Sequence, residues 1–248
     1  MDIKKEAGEK RLKRLGVLLG SFWIINTALH IYYGDAIAVF WFCNIAIAVL
    51  AFACFEKSTT AAYSTIAIAL ITQPFWIIDW IFFILFGFGP LNLFQFYANV
   101  PIAIKIVSFA EHIVTIPLSI ILLYNLAPKK PSKKSYGFLA LATLSLIIFS
   151  KYIPSSENIN CASYPCFQKV LAWGAQPAYT LEWALSIILL GVIAMRYIVY
   201  PAHNWLIKKR QAYNLRYFYR DAQQDRRNSA SIHSHIDSRH YSSLDKQS

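Results

Sequence analysis

The fold class this sequence predicts is an all-α polytopic membrane bundle of six transmembrane helices, and three observations predict it. Hydrophobic residues make up 56% of the 248 and charged residues only 15%, too apolar a balance for an ordinary water-soluble domain. The apolar residues gather in six runs, at about 15–33, 36–55, 61–88, 102–124, 136–153 and 177–200. Each is close to the roughly 20 residues that cross a ~30 Å hydrocarbon layer, and inside it helices satisfy every backbone amide locally. The basic residues gather before the first run, between the fourth and fifth, and after the sixth, while the loops at 34–35, 89–101 and 154–176 are nearly bare of them.

The first run follows Lys4, Lys5, Lys10, Arg11, Lys13 and Arg14. Its length and the lack of a cleavage site predict a retained signal-anchor helix. Gly16, Gly20, Trp23, Thr27, His30 and Gly34 recur at spacings of three and four, so they share one face. Gly16 and Gly20 form a small-xxx-small pair that admits a neighbouring backbone. The second run carries Asn44 on a face with Ala48 and Ala51, and Cys43 and Cys54 read as small apolar side chains.

The third run is long and holds Gln73-Pro74 near its middle, where proline frees the carbonyl of Leu70 and predicts a kink. Asp79 follows, between Trp76 and Trp80. Residues 90–101 are aromatic and uncharged and suit the outer interface. The fourth run presents Lys105, Ser108, His112, Thr115 and Ser119 as a stripe, with Glu111 one residue aside and a second kink expected at Pro117. The fifth is short and ends at Ser150-Lys151. The sixth begins with Glu182, and Ser186 lies one turn on.

The net charge of +11 would suit a nucleic-acid partner if it formed a patch, but it is distributed by topology. Lys129, Lys130, Lys133 and Lys134 fill the loop between spans four and five, and Lys208, Lys209, Arg210, Arg216, Arg220, Arg226 and Arg227 follow span six. The opposite loops hold no Lys or Arg at 34–35 or 89–101, and only Lys169 at 154–176. Positive residues favour the cytoplasmic side, so both termini are expected there, in a cell membrane and without a nucleic-acid partner. The expected organisation is a bundle over 1–202, a basic amphipathic segment over 203–227 and a disordered tail over 228–248. The basic segment interleaves Trp205, Leu206, Tyr213, Leu215, Tyr217 and Phe218 with cations, as a helix lying on anionic lipids would.

Cys161 and Cys166 lie in the large outer loop with Tyr164-Pro165 between them. They form either a disulfide, if that side is oxidising, or two free thiols. Two cysteines make only half a structural zinc site. No Asn-x-Ser/Thr sequon occurs, which favours a bacterial plasma membrane.

No nucleotide or cofactor motif is present. By depth, His30, Asp79, Glu111, His112 and Glu182 all fall between mid-bilayer and the outer surface. A charged group at the centre costs at least about 2.5–3.5 kcal/mol on insertion scales, so such residues pair, stay neutral or face water. His112, Glu111 and Asp79 are candidate catalytic acid-base groups. His30, His112, Asp79 and Glu182 are candidate ligands for a divalent metal. The alternative is a hydrogen-bond network that fixes helix pairing, for example Asn44 to Asp79, with Gly16, Gly20, Pro74 and Pro117 in structural roles.

Trp41-Phe42-Cys43-Asn44, the Trp76 to Asp79 segment, His112 and Glu157-Asn158-Ile159-Asn160 together resemble a group of uncharacterised bacterial multi-pass inner-membrane proteins. The similarity covers roughly 41–160. It departs after Asn160, where relatives carry an aromatic run and this chain has Cys161. The resemblance implies an integral protein of the bacterial envelope and no particular activity. Three functions compete: an enzyme acting on a lipid or lipid-linked group at the outer leaflet, a proton-coupled transporter working through Glu111, and a non-catalytic assembly or lipid-binding protein.

Overall fold

The computed structural model describes residues 3–89, 100–152 and 179–213. The described residues are helical with no strand: α1 (Ile3–Tyr32), a 3₁₀ turn (Ala36–Phe40), α2 (Phe42–Phe55), α3 (Thr59–Phe86), α4 (Ile102–Asn125), α5 (Lys133–Tyr152) and α6 (Tyr179–Ala194), followed by a π turn (Met195–Val199). Five helices are long and apolar enough to cross a membrane: α1, α3, α4, α5 and the one beginning at Tyr179. The fourteen-residue α2 is a shorter apolar helix. The fold is an all-α bundle of membrane-spanning type.

The chain divides into two compact units, Met1–Asn204 and Trp205–Ser248. In the second, residues 205–213 are helical, and Lys209 places its Nζ 4.1 Å from the centre of the Trp205 ring. Residues 214–248, the Cys161–Cys166 pair, Glu157–Asn160 and most of the 90–101 segment lie outside the described residues.

Burial in the first unit is inverted relative to a water-soluble protein. Ile24, Ile31, Phe52, Leu85, Ile106, Leu141 and Leu189 are exposed, whereas Asn26, His30, Asn44, Gln73, Asp79, Glu111, His112 and His203 are buried. Apolar side chains turned outward cost nothing in lipid, and polar ones turned inward find each other. Helix signals are local and conventional. Ser58 caps α3 by accepting from the Ala61 amide at 3.2 Å, and Gly87 ends it in the left-handed conformation at φ 74°. Helices α3 and α4 continue through Pro74 and Pro117.

The second run is not one helix over 36–55. Trp41 is extended at ψ 142°, separating the 3₁₀ turn from α2. The carbonyl of Ala38 explains the break. It accepts from the Trp41 amide at 3.0 Å and from the Asn44 side-chain amide at 2.6 Å. Both lone pairs are then used, and none remains for the amide of Phe42, which starts a new helix.

Helix α1 packs most extensively on α2. A Cβ on Gly16 would lie 3.0 Å from the Cys54 Cβ, and one on Gly20 would lie 3.9 Å from the Ala51 Cβ. The two glycines therefore bring α1 against the small-residue face of α2. Helix α4 packs on α1, α3 and α2, and α6 chiefly on α3 and α5. At the other end of α3, Tyr63 and His203 are both buried. The Leu126 carbonyl accepts from His203 Nε2 at 3.3 Å, so Nδ1 accepts the Tyr63 hydroxyl at 2.7 Å.

Candidate functional site

Adjacent residues on α4 point about 100° apart around the helix, and this separates the candidate residues into two sites. Glu111 faces α1 and α2. His112 faces α3.

On the first side, three helices contribute one polar residue each. Asn26 of α1 donates through Nδ2 both to Asn44 Oδ1 of α2 and to Glu111 Oε2 of α4, the latter at 3.1 Å. Asn44 is oriented by its own donation to the Ala38 carbonyl, so its Oδ1 must be the atom turned to Asn26. Thr115, one turn along α4, donates to the Glu111 backbone carbonyl at 2.6 Å. Glu111 Oε1 and Asn26 Oδ1 are buried without a partner among the described residues.

On the second side, His112 lies on the indole of Trp76, ring centroids 4.7 Å apart, and Trp80 stacks on Phe109 at 3.8 Å. These two stacks set the antiparallel register of α3 on α4. They bring Gln73, one turn back from Trp76, level with Thr115. Both side-chain amide atoms of Gln73 are buried and unpartnered among the described residues. His112 Nδ1 lies 2.6 Å from the Ser108 carbonyl. A carbonyl only accepts, so Nδ1 carries a proton, and in the neutral ring Nε2 carries the lone pair. His112 lines a cleft with Lys105, Ser108, Trp76, Trp80, Ile77 and Phe109. Its interior offers about 10 Å³ for a water's centre, room for roughly one water.

The remaining candidates are placed elsewhere. His30 is buried and its Nδ1 lies 3.1 Å from the Asp35 carboxylate, just past the end of α1. Asp79 is fully buried, and a Cβ on Gly89 would fall 2.5 Å from its carboxylate, so the chain after α3 folds closely over it. Glu182 is exposed on α6. Among the described residues no three His, Cys, Asp or Glu side chains are grouped to hold a metal. The divalent site expected from His30, His112, Asp79 and Glu182 is therefore not assembled, because similar depth on different helix faces is not proximity. The expected Asn44–Asp79 pairing is replaced by Asn44 with Asn26.

A larger cavity of about 430 Å³ lies between α2, α3 and α5. Phe40, Phe42, Phe138 and Phe149 line it, with the residues Ser64, Thr65 and Ser145 contributing the few hydroxyls. The space is an open apolar groove, with Phe138 and Phe149 exposed at its rim, and its size and sparse polar groups would suit a hydrocarbon chain.

Sequence reasoning missed Asn26 and Gln73. Asn26 lies four residues before His30 and three after Trp23, so an amide recurring on an apolar face was the available signal. Gln73 was overshadowed by the proline beside it. Comparisons with protein-family models, curated proteins and solved structures give no match, so the function follows from the geometry of these sites alone.

Proposed function

We propose that this is a multi-pass protein of a cell membrane, with both termini cytoplasmic, that recognises an anionic lipid or lipid-linked group lying across the mouth of the narrow cleft between α3 and α4. The observation that carries the reading is the fixed tautomer of His112. With Nδ1–H committed to the Ser108 carbonyl, Nε2 is left as an acceptor on a residue that lines one cleft with Lys105, Trp76 and Trp80. Lys105 complements a lipid phosphate, His112 Nε2 accepts from a headgroup hydroxyl, and Trp76 and Trp80 suit the interfacial depth of such a headgroup. The loop charges support the orientation. The basic residues after span six support contact with anionic lipids on the inner leaflet.

The test is lipid retention by the purified protein, read by native mass spectrometry with phosphatidylglycerol against phosphatidylcholine. Wild-type protein is expected to prefer phosphatidylglycerol, which presents both phosphate and hydroxyls. His112→Ala and Lys105→Ala should each weaken that preference about tenfold, the effect of ~1.4 kcal/mol. An undiminished preference in the double variant would sink the reading. The apolar cavity favours a second reading, a ligand held by its hydrocarbon part alone. In that case Ser145→Phe, which fills the cavity, abolishes binding while His112→Ala leaves it intact.

A further inference from the structure

The Asn26–Asn44–Glu111 layer is short of hydrogen-bond donors, and the shortage follows from the hydrogen bonds themselves. The Ala38 carbonyl can only accept, so Asn44 must present Nδ2 to it and Oδ1 to Asn26. Asn26 must then present Nδ2, whose donation is shared between Asn44 Oδ1 and Glu111 Oε2. Turning the Asn26 amide over would set three oxygens against one another. What remains is two acceptors on neighbouring side chains, Asn26 Oδ1 and Glu111 Oε1, both without a partner among the described residues. Asn26 is 2% exposed and Glu111 1%. The ion pairs among the described residues, Lys10–Glu6, Lys57–Glu9 and His30–Asp35, leave Glu111 out.

A carboxylate oxygen and a carboxamide oxygen on two hydrogen-bonded side chains, neither with a donor among the described residues, are the complement of a positive charge. We infer that this layer, on the face of α4 opposite His112, is a binding site for a monovalent cation held by Glu111 Oε1 and Asn26 Oδ1. The charge count sets the valence. One carboxylate with neutral oxygens matches a single positive charge, and a divalent ion would require the further acidic or imidazole ligands that the described residues do not group. The surroundings agree in sign. Asn26 lies one turn before His30, and beyond it Asp35 stands at the C-terminal end of α1, the negative pole of the helix. Titratable or charged groups on the packed elements include His30 near the end of α1 and Asp35 just after it, Cys43 and Cys54 on α2, Asp79 on α3, and Lys105 and His112 on α4, while the Lys, Arg and Glu residues of α1 are confined to its first part, residues 4–14. The inference goes beyond lipid recognition and does not rest on it, since the two sites use different faces and different partner helices.

The cation is either an alkali ion or a proton, and one experiment separates them. The full chain is placed in phosphatidylcholine nanodiscs and its thermal midpoint is followed in two titrations. In one, NaCl or KCl replaces choline chloride at fixed pH and ionic strength. In the other, pH is varied in choline chloride. A ligand that binds only the folded state at 100 times its Kd raises the midpoint by about 5–10 °C for a chain of this size. Wild-type protein is expected to show that rise with sodium or potassium, which assigns an alkali ion, or with acid alone, which assigns a proton. In Glu111→Gln the new amide supplies the missing donor covalently. That variant should be at least as stable as wild type in choline chloride, and its midpoint should no longer respond. Asn26→Ala should weaken the response while leaving Glu111 in place. A wild-type midpoint indifferent to both titrations overturns the inference. So does a response of undiminished size in Glu111→Gln.

Discussion

Replacing Gly16 and Gly20 by alanine, one at a time, should move stability in opposite directions although the two glycines belong to one motif. At Gly16 the new Cβ would stand 3.0 Å from the Cys54 Cβ and 3.0 Å from Phe55 Cζ, with Phe55 Cε2 at 3.1 Å. The phenyl ring can swing, but the Cys54 Cβ moves only with the backbone of α2. Overpacking of this kind costs about 1–3 kcal/mol, while removing a glycine from a helix interior returns about 1 kcal/mol. The net expectation for Gly16→Ala is a loss of about 1 kcal/mol. At Gly20 the new methyl meets only the Ala51 Cβ at 3.9 Å, an ordinary contact. Only the helix term remains, a gain of about 0.5–1 kcal/mol. The gap between the variants is then about 2 kcal/mol, or about 4–8 °C in thermal midpoint for a chain of this size. Thermal unfolding of the two proteins in the same nanodisc, followed by tryptophan fluorescence, measures it. Equal midpoints, or a more stable Gly16→Ala, would show that α1 and α2 do not approach as described.

Two further outcomes test the polar contacts. Asn44→Ala removes the amide that holds the Ala38 carbonyl and the oxygen that accepts from Asn26. A loss of about 1–3 kcal/mol is expected from the groups left unpaired. Asn44→Asp should be worse than alanine, because it sets a second carboxylate near Glu111 and has no donor for Ala38. Chemical denaturation of both variants checks the order. Tyr63→Phe deletes the hydroxyl that His203 Nδ1 accepts and should cost about 1 kcal/mol. His203→Ala in the same background should then add less than it does alone, since the pair shares one bond. A double-mutant cycle with no coupling would remove the contact.

Much of the fold was legible along the chain. Five of the six runs lie in helices long and apolar enough to cross a membrane, and α3, α4 and α5 fall within a few residues of the expected bounds, because apolar length and caps such as Ser58 and Gly87 are local properties. Helix α1 begins twelve residues earlier, at Ile3, and the last helix continues to Tyr213. The second run was read as one span and is a 3₁₀ turn plus a short helix. That break depends on the Asn44 amide reaching back to Ala38, a side-chain contact that apolar periodicity does not register. Position within the apolar runs was also readable, so His30, Asp79, Glu111 and His112 could be named as polar candidates, and all four are buried.

Depth is a one-dimensional quantity, and a site needs azimuth and neighbours as well. The sequence by itself determined that this is a helical membrane bundle with its cations concentrated outside the apolar runs and a handful of ionisable groups inside it. Only the tertiary structure decided that Glu111 and His112, one residue apart, serve different helix interfaces and that Glu182 serves neither. It also brought in Asn26, the residue that joins α1, α2 and α4. The physical reason is that each helix's rotation about its axis is set by packing. Gly16 and Gly20 against α2, and the Trp76 and Trp80 stacks against α4, together choose which polar side chains meet.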